Sequence, residues 1–459
     1  MQFDAMIPRY YFDDFEIDTR EPIYTFEIPS IGTFGITNLC VGFWIQCFVL
    51  FSIQSFINVC VAAFVYKFIL VAQRPSTPSL SKSLSSPSHH PYFIGYGLVC
   101  PILLLGPFYV ITRCVELKNV AFMICLCGAL PNLLLLRVVE AMHGLVPPAF
   151  LLVDDITISA THDEKKINNS TKKKGNETRG YEGIKRFLLY YSATLQVKID
   201  EKTNQPVPFT RRIMISKLQS FLSVFLQTSI MYSLLQPFDY AIAPSRRPIS
   251  TIADLYYWGN IVNAFAMASL TSLLLEGGAS GLGLITSVCS GLTMENFADS
   301  PLTQSSSPSD FWGNRWDRPV ASALRRGAFR PLRQAGYSRQ FAAMATFLVS
   351  GFVHEYVVIF LAQRKGNISY EPQFGNQFLF FAWNGIVLFL ERALLSTEQG
   401  QSSSKWMQSN VPKPIRTALV LLTVLPIAHL FTDEYVKSSF YNDSAFGFPR
   451  IEYLGKASP

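Results

Sequence analysis

The chain has 459 residues, 49% of them hydrophobic and only 15% charged, with a mean hydropathy of +0.24. A soluble chain of this length would divide into about three domains, each needing a surface of roughly 25% Asp, Glu, Lys and Arg, which this composition cannot supply. The apolar content excludes disorder, and a net charge of +7 without an RNP, zinc-finger or basic-zipper pattern excludes a nucleic-acid binder.

An all-α polytopic membrane protein remains. Residues 1–30 are acidic and aromatic, without the basic-then-apolar order of a cleavable signal. The run Ile31 to Val71 therefore reads as an uncleaved signal-anchor, too long for one bilayer crossing without tilt, a break or an extra-membrane part. Further spans are expected at Tyr92–Thr112, Asn119–Leu136, Ile213–Leu235, Ile252–Leu275, Phe341–Ala362, Phe374–Leu395 and Thr417–Phe431. The Gly-rich stretch Gly277 to Leu292 either continues the preceding span or re-enters the membrane. The total is about eight.

Basic residues orient these spans, because Lys and Arg favour the cytosolic side. With a lumenal N-terminus, the cytosolic segments carry 27 of the 39 basic residues and the lumenal ones 11, leaving Lys67 within a span. The balance favours this orientation and an even number of crossings. The eight cysteines form no CxxC pair, so neither a disulfide framework nor a metal site is expected. Two cytosolic loops differ in character. Residues 161–186 form a Lys-rich polar insert whose sequons at Asn168, Asn169 and Asn176 should stay bare, whereas those at Asn367 and Asn442 face the lumen. Thr293 to Gln340 places Trp312 and Trp316 one helical turn apart, with seven arginines from Arg315 to Arg339. Val320, Leu324 and Ala328 recur every four residues among those arginines, the pattern of an amphipathic helix lying in the interface.

The chemistry points to His354, in the apolar stretch Phe341 to Ala362 and past mid-depth from its cytosolic end. An ionisable residue there is costly and by default faces a bundle interior or wet cavity. The competing reading is a structural histidine bonding a neighbouring helix. Glu355 lies about 100° around the helix from His354, so it reads as a packing or supporting group. Neither a GxSxG elbow, an HExxH pair nor a phosphate loop is present. His143 and His429 lie near span ends, as packing or interface residues.

Ser309-Asp310-Phe311-Trp312-Gly313-Asn314-Arg315-Trp316-Asp317-Arg318-Pro319-Val320 resembles the SLxDFWGRRW block of wax synthases, in the membrane-bound O-acyltransferase superfamily. Ser350-Gly351-Phe352-Val353-His354-Glu355 is similar to the SGLMHE-type sequence that follows it there. The resemblance covers about residues 310–356. It implies a multi-helix fold around a reaction chamber, in which acyl-CoA is the co-substrate and a lipophilic alcohol the acceptor, with no bound cofactor or metal. His354 matches the family's catalytic histidine. Asp317 falls where a second polar residue, often Asn, supports it, either orienting the imidazole or positioning acyl-CoA. Trp312, Asn314 and Trp316 are then candidates to line the thioester's approach. Arg315, Arg318, Arg325 and Arg326 are candidates for the CoA phosphates, with lipid headgroups explaining them equally well. The expected organisation is a lumenal segment 1–30, helices over 31–292, and a catalytic region 293–459 with a motif loop 309–320 and a histidine helix 341–362. The expected location is the endoplasmic reticulum membrane. A transporter or lipid scramblase would also place an ionisable group in the membrane, but transporters commonly carry internal repeats, and neither the block nor the His354 span recurs. An inactive relative is the third reading.

Overall fold

The computed structural model describes residues 10–12, 22–29, 32–37, 40–71, 90–117, 119–147, 150, 184–200, 202–203, 205–243, 251–362 and 370–455. The insert 161–186 lies outside these except for 184–186, and Asn168, Asn169, Asn176 and Asn367 lie outside them altogether. Among the described residues seven helices are long and apolar enough to cross a bilayer. They are α1 (Val41–Leu70), α2 (His90–Arg113), α3 (Val120–Met142), α4 (Arg211–Phe238), α5 (Trp258–Ser290), α7 (Arg339–Leu361) and α8 (Asn376–Leu395). Between α5 and α7 an irregular helix, α6, runs over 318–334. After α8 come α9 (Glu398–Asn410) and a pair, α10 (Lys413–Ile427) and α11 (His429–Lys437), bent by 55°.

Polar side chains start several of these helices. Asn119 accepts from the backbone N–H groups of Ala121 and Phe122, and Ser338 accepts from that of Phe341. Gly291, at φ +69°, closes α5 in a left-handed conformation that suits glycine.

Parity follows from the strands. β2 (Tyr24–Ile28), β3 (Gly32–Thr37) and β5 (Arg450–Gly455) form one antiparallel sheet, with Phe34 opposite Tyr453. A sheet joining the segment before α1 to the segment after α11 requires both on one side of the membrane. The crossings between them are therefore even, and with α10 and α11 as one broken span the described residues supply eight. A short parallel pair, β1 (Tyr10–Phe12) with β4 (Val115–Leu117), places the α2–α3 connection on that same side.

Outward rows of large apolar side chains, such as Ile45, Phe48 and Phe56 on α1, face where lipid would lie. Only α3 is chiefly interior, with 67% of its apolar window buried. The core does not divide at residue 293. One apolar cluster joins Val120, Tyr232, Met267, Val357 and Tyr441, and another joins Ala264, Phe311, Phe381 and Val424.

The structure resolves some of these expectations and corrects others. The apolar run from Ile31 has the extra-membrane part expected of its length: residues 32–37 are a strand whose edges are satisfied by β2 and β5, and the span starts at Val41. The span expected from Ile252 begins at Trp258. Of the two forms expected for the glycine stretch, the structure has the first: it continues α5 to Ser290, 33 residues in all. The span expected to end at Leu136 runs on to Met142, because Arg137 and Glu140 are buried by protein partners.

The helix expected to lie in the interface instead packs against α3. Ala323, Leu324, Gly327 and Ala328 are buried, and a Cβ on Gly327 would come within 2.5 Å of the Leu136 carbonyl oxygen. Backbone cannot yield as a side-chain tip does. Gly327→Ala should therefore cost about 1–3 kcal/mol of stability through overpacking. Gly313→Ala, where nothing lies within 4 Å of the new methyl, should change little. Thermal unfolding of both purified variants checks this, and equal midpoints would contradict it.

Candidate active site

Several elements converge on one cavity of about 530 Å³: the motif loop with α6, the first two-thirds of α7, and the facing sides of α5, α8, α10 and α11. His354 opens onto it. The residue lies 15 positions into α7, about 23 Å from the Arg339 end at 1.5 Å per residue. Its ring stacks on Phe381, with centroids 4.6 Å apart and planes 16° from parallel, and meets Phe431 edge-on at 5.2 Å. Nδ1 lies 3.5 Å from the Tyr435 hydroxyl, a long contact. Among the described residues Nε2 has no partner. Two aromatic rings and one hydroxyl thus fix the imidazole's plane and leave the other nitrogen for the cavity.

Glu355 points elsewhere. Its Oε1 accepts from the backbone N–H groups of Gly375 and Phe378, at 2.9 and 3.0 Å, and so holds the first turn of α8. This fits the packing role expected for it.

The motif loop is held by its own polar residues. Ser309 donates through both its N–H and its hydroxyl to the Glu391 carboxylate on α8, each at 2.9 Å. Trp312 Nε1 donates to Asn384 Oδ1 at 3.1 Å, and its ring packs against Phe347, Phe380 and Phe381. Trp316 stacks on Phe311 at 5.5 Å. Burial works against ionisation of Asp310, but hydrogen bonds from Arg315, Ser306 and Asn314 outweigh it and keep its carboxyl below the ordinary range.

Of the residues singled out by sequence, the cavity wall contains Trp312, Trp316, Asp317, Arg325 and His354. Asn314, Arg315, Arg318 and Arg326 are not brought to it. Asn314 is exposed and turned to Asp310. Arg315 is committed to Asp310 at 2.8 Å and Asp299 at 3.2 Å. Arg318 faces Glu295 at 3.6 Å in a separate concavity. Arg326 is paired with Glu140. Arg325 does reach the mouth, donating to the Gly313 carbonyl at 3.1 Å, and two arginines not singled out as site residues, Arg339 and Arg392, line the wall with it. Asn384, Tyr435 and Phe381 were also missed. The fully buried Asn384, inside an otherwise apolar span, carried a readable signal. Tyr435, beyond the last expected span, carried none.

Asp317 shares the cavity with His354, yet no hydrogen bond joins them among the described residues. Its carboxylate accepts from the Val320 N–H at 3.2 Å and caps α6 from a left-handed backbone at φ +37°. Desolvation raises this carboxyl to about 7, against the opposing Val320 bond. A folded-state value above the unfolded 3.8 means that the fold retains a proton the unfolded chain releases. The stability from this group is full below about 4 and is lost as the pH rises through 7. Asp317→Asn keeps both the cap and the left-handed backbone, so it should flatten the loss of thermal stability between pH 5 and 8. Asp317→Ala should lose about 1 kcal/mol of cap and roughly 1–2 kcal/mol from the left-handed conformation. Identical pH slopes for wild type and Asp317→Asn would rule this out.

Residues 295–383 match the Membrane bound O-acyl transferase family. Among curated proteins of Arabidopsis thaliana, the chain is 30% identical over 151 residues to Probable long-chain-alcohol O-fatty-acyltransferase 9, covering 31% of this chain and 41% of that relative. It is 32% identical over 133 residues to Acyl-CoA--sterol O-acyltransferase 1, covering 28% and 34%. Over this segment the chain is similar to the wax synthase-like branch of the membrane-bound O-acyltransferase superfamily. The likeness spans less than half the length of these relatives. The matched segment contains the whole motif loop, His354 and Phe381, and it stops just short of Asn384 and Glu391, the α8 residues that hold the loop.

Proposed function

We propose that the chain transfers an acyl group from acyl-CoA to the hydroxyl of a lipophilic alcohol, a long-chain alcohol, sterol or polycyclic metabolite, to form an ester. The observation that carries the reading is the imidazole of His354, set within the bilayer span, opening onto a cavity whose wall also holds Arg325, Arg339 and Arg392. The relatives' printed names, which include long-chain-alcohol and sterol acyltransferases, support the acceptor class.

The alcohol oxygen attacks the thioester carbonyl carbon as its proton passes to His354 Nε2. Collapse of the tetrahedral intermediate breaks the carbon–sulfur bond. The imidazolium then returns the proton to the departing thiolate, so CoA leaves as a thiol. Imidazole suits both transfers because its ordinary pKa lies near neutrality. Asp317 acts on this site by fixing the start of α6 and hence Arg325, and the three arginines receive the CoA phosphates. Phe347, Phe380, Leu421 and Val424 give the chamber an apolar wall for the two chains. Residues 293–459 form the catalytic region and the helices of 31–292 its scaffold. The orientation proposed puts the arginine-lined mouth in the cytosol and the β2–β3–β5 sheet in the lumen of the endoplasmic reticulum.

Membranes containing the full chain, supplied with labelled acyl-CoAs of several lengths and a panel of alcohols and sterols, should form ester and release free CoA. No CoA release from any pair would sink the proposal.

A further inference from the structure

A second concavity, of about 380 Å³, opens on the same side of the bundle as the arginine-lined mouth but outside the chamber. Its wall gathers Lys198, Arg212, Lys217 and Arg318, with Glu295 the acidic group among them. These cations come from three separate parts of the fold, each held in place by backbone bonds. Lys198 donates through its N–H to the Thr293 carbonyl at 2.7 Å and accepts from Val207 at 2.9 Å. Arg212 and Lys217 stand on the first turns of α4. The Arg318 N–H is bound to the Phe297 carbonyl at 2.9 Å.

One carboxylate stands in the wall with four cations, and Glu276 on α5, outside the wall, also acts on Lys217. Glu295 lies 3.6 Å from Arg318, and Lys217 meets the neutral amide of Asn296. Among the described residues, Lys198 and Arg212 have no carboxylate partner. Convergent like charges repel, and a bound anion would remove that cost. Ser216 and Asn296 add neutral donors to the same wall. The level is also distinctive, since Ile213, in the wall, starts the apolar run of α4. A basic recess between spans at the polar edge of the bilayer suits phosphorylated headgroups.

We propose that this recess is a phosphoryl-binding site, separate from the reaction chamber, in which Arg212, Lys217, Lys198 and Arg318 grip one phosphate ester. The same chemistry serves a lipid headgroup or a soluble phosphate, and the test separates the two.

Full-length chain is reconstituted in vesicles of phosphatidylcholine alone, or of phosphatidylcholine with phosphatidic acid. Retained lipid is read by native mass spectrometry after extraction, and thermal midpoints are measured with and without inorganic phosphate. Arg212→Gln with Lys217→Gln should weaken phosphatidic acid retention roughly thirtyfold, two surface-type cationic contacts being removed. The equal-charge control Lys405→Gln with Lys413→Gln should leave retention unchanged. Should the pocket double variant fail to fold, Arg212→Gln alone, at an exposed position, supplies the loss, and Arg212→Lys with Lys217→Arg should retain binding. Pocket-dependent retention of phosphatidic acid identifies a headgroup. Pocket-dependent stabilisation by inorganic phosphate without lipid retention identifies a soluble phosphate. Binding of neither probe, or equal loss in pocket and control variants, overturns the proposal.

Discussion

His354→Ala should slow ester formation by about 10²–10⁴-fold, the usual contribution of a positioned general base, while leaving the fold intact. The side chain reaches the cavity instead of filling a sealed core, so its removal enlarges an existing space. What the variant loses is the group able to take the alcohol proton, because an alcohol hydroxyl is far too weak an acid to ionise unaided. His354→Gln supplies the needed contrast: it keeps a polar group beside Tyr435 without a base. It should be as slow as the alanine variant. Tyr435→Phe should lose far less, because the 3.5 Å contact orients the ring and does not carry the proton. The loss of one net hydrogen bond, about 1 kcal/mol, corresponds to roughly fivefold. Initial rates of labelled ester, measured beside thermal midpoints, separate a chemical effect from an unfolded one. Near wild-type rates in the folded His354→Ala protein would remove His354 as the base.

Most of the bundle was legible because the bilayer imposes a length and an apolar composition on each span. Those two properties placed α2, α4, α7 and α8 within a few residues at both ends, while α1, α3 and α5 are displaced at one end or both. The errors share a cause: where protein partners replaced lipid or water, composition stopped reporting position. Residues 32–37 run directly into an apolar span but hydrogen-bond to strands, one of them more than 400 positions away. Arg137 and Glu140 look like the end of a span and are buried in its continuation. The amphipathic period of 318–334 correctly identified a helix, but it could not say that the apolar face would meet α3.

The site was readable at the level of the block and less so at the level of roles. His354 could be found as an ionisable group with no reason to be in lipid, and Trp312, Trp316 and Asp317 came with the motif. The arginines could not be sorted by sequence. Arg315 and Arg326 are neutralised by Asp310 and Glu140, and only the fold decides which guanidinium meets a carboxylate. Arg392 reaches the mouth from the far end of α8, 67 positions after Arg325, a proximity that no local pattern records.

That sorting makes the Glu140–Arg326 pair the second large effect expected. Glu140 is 1% exposed and accepts from the Tyr190 hydroxyl at 2.5 Å, while Arg326 Nε lies 2.7 Å from the same oxygen. Arg326 also donates to Ser322 Oγ at 2.6 Å and lies over the Tyr190 ring. Nearby, Arg137 donates to the carbonyls of Tyr191 and Ala193. Among the described residues Glu140 Oε2 and Arg326 Nε lack an aligned hydrogen-bond partner, so charge attraction carries the contact. Removing Glu140 alone would strand two guanidinium groups away from water. Breaking one side of such a pair costs about 3–5 kcal/mol, and Glu140→Met should destabilise the protein by that order. The released helix also carries Asp317 and Arg325, so ester formation should fall with stability. Replacing both partners behaves differently, because an apolar pair of similar volume is often neutral to stability. Glu140→Met with Arg326→Met should therefore recover part of the loss, and only part, since Arg137 remains. A double-mutant cycle on thermal or denaturant unfolding measures the coupling. If the double variant is destabilised by the sum of the two single changes, the groups do not depend on each other, and the anchoring of the motif helix must be sought in the Gly327–Leu136 contact alone.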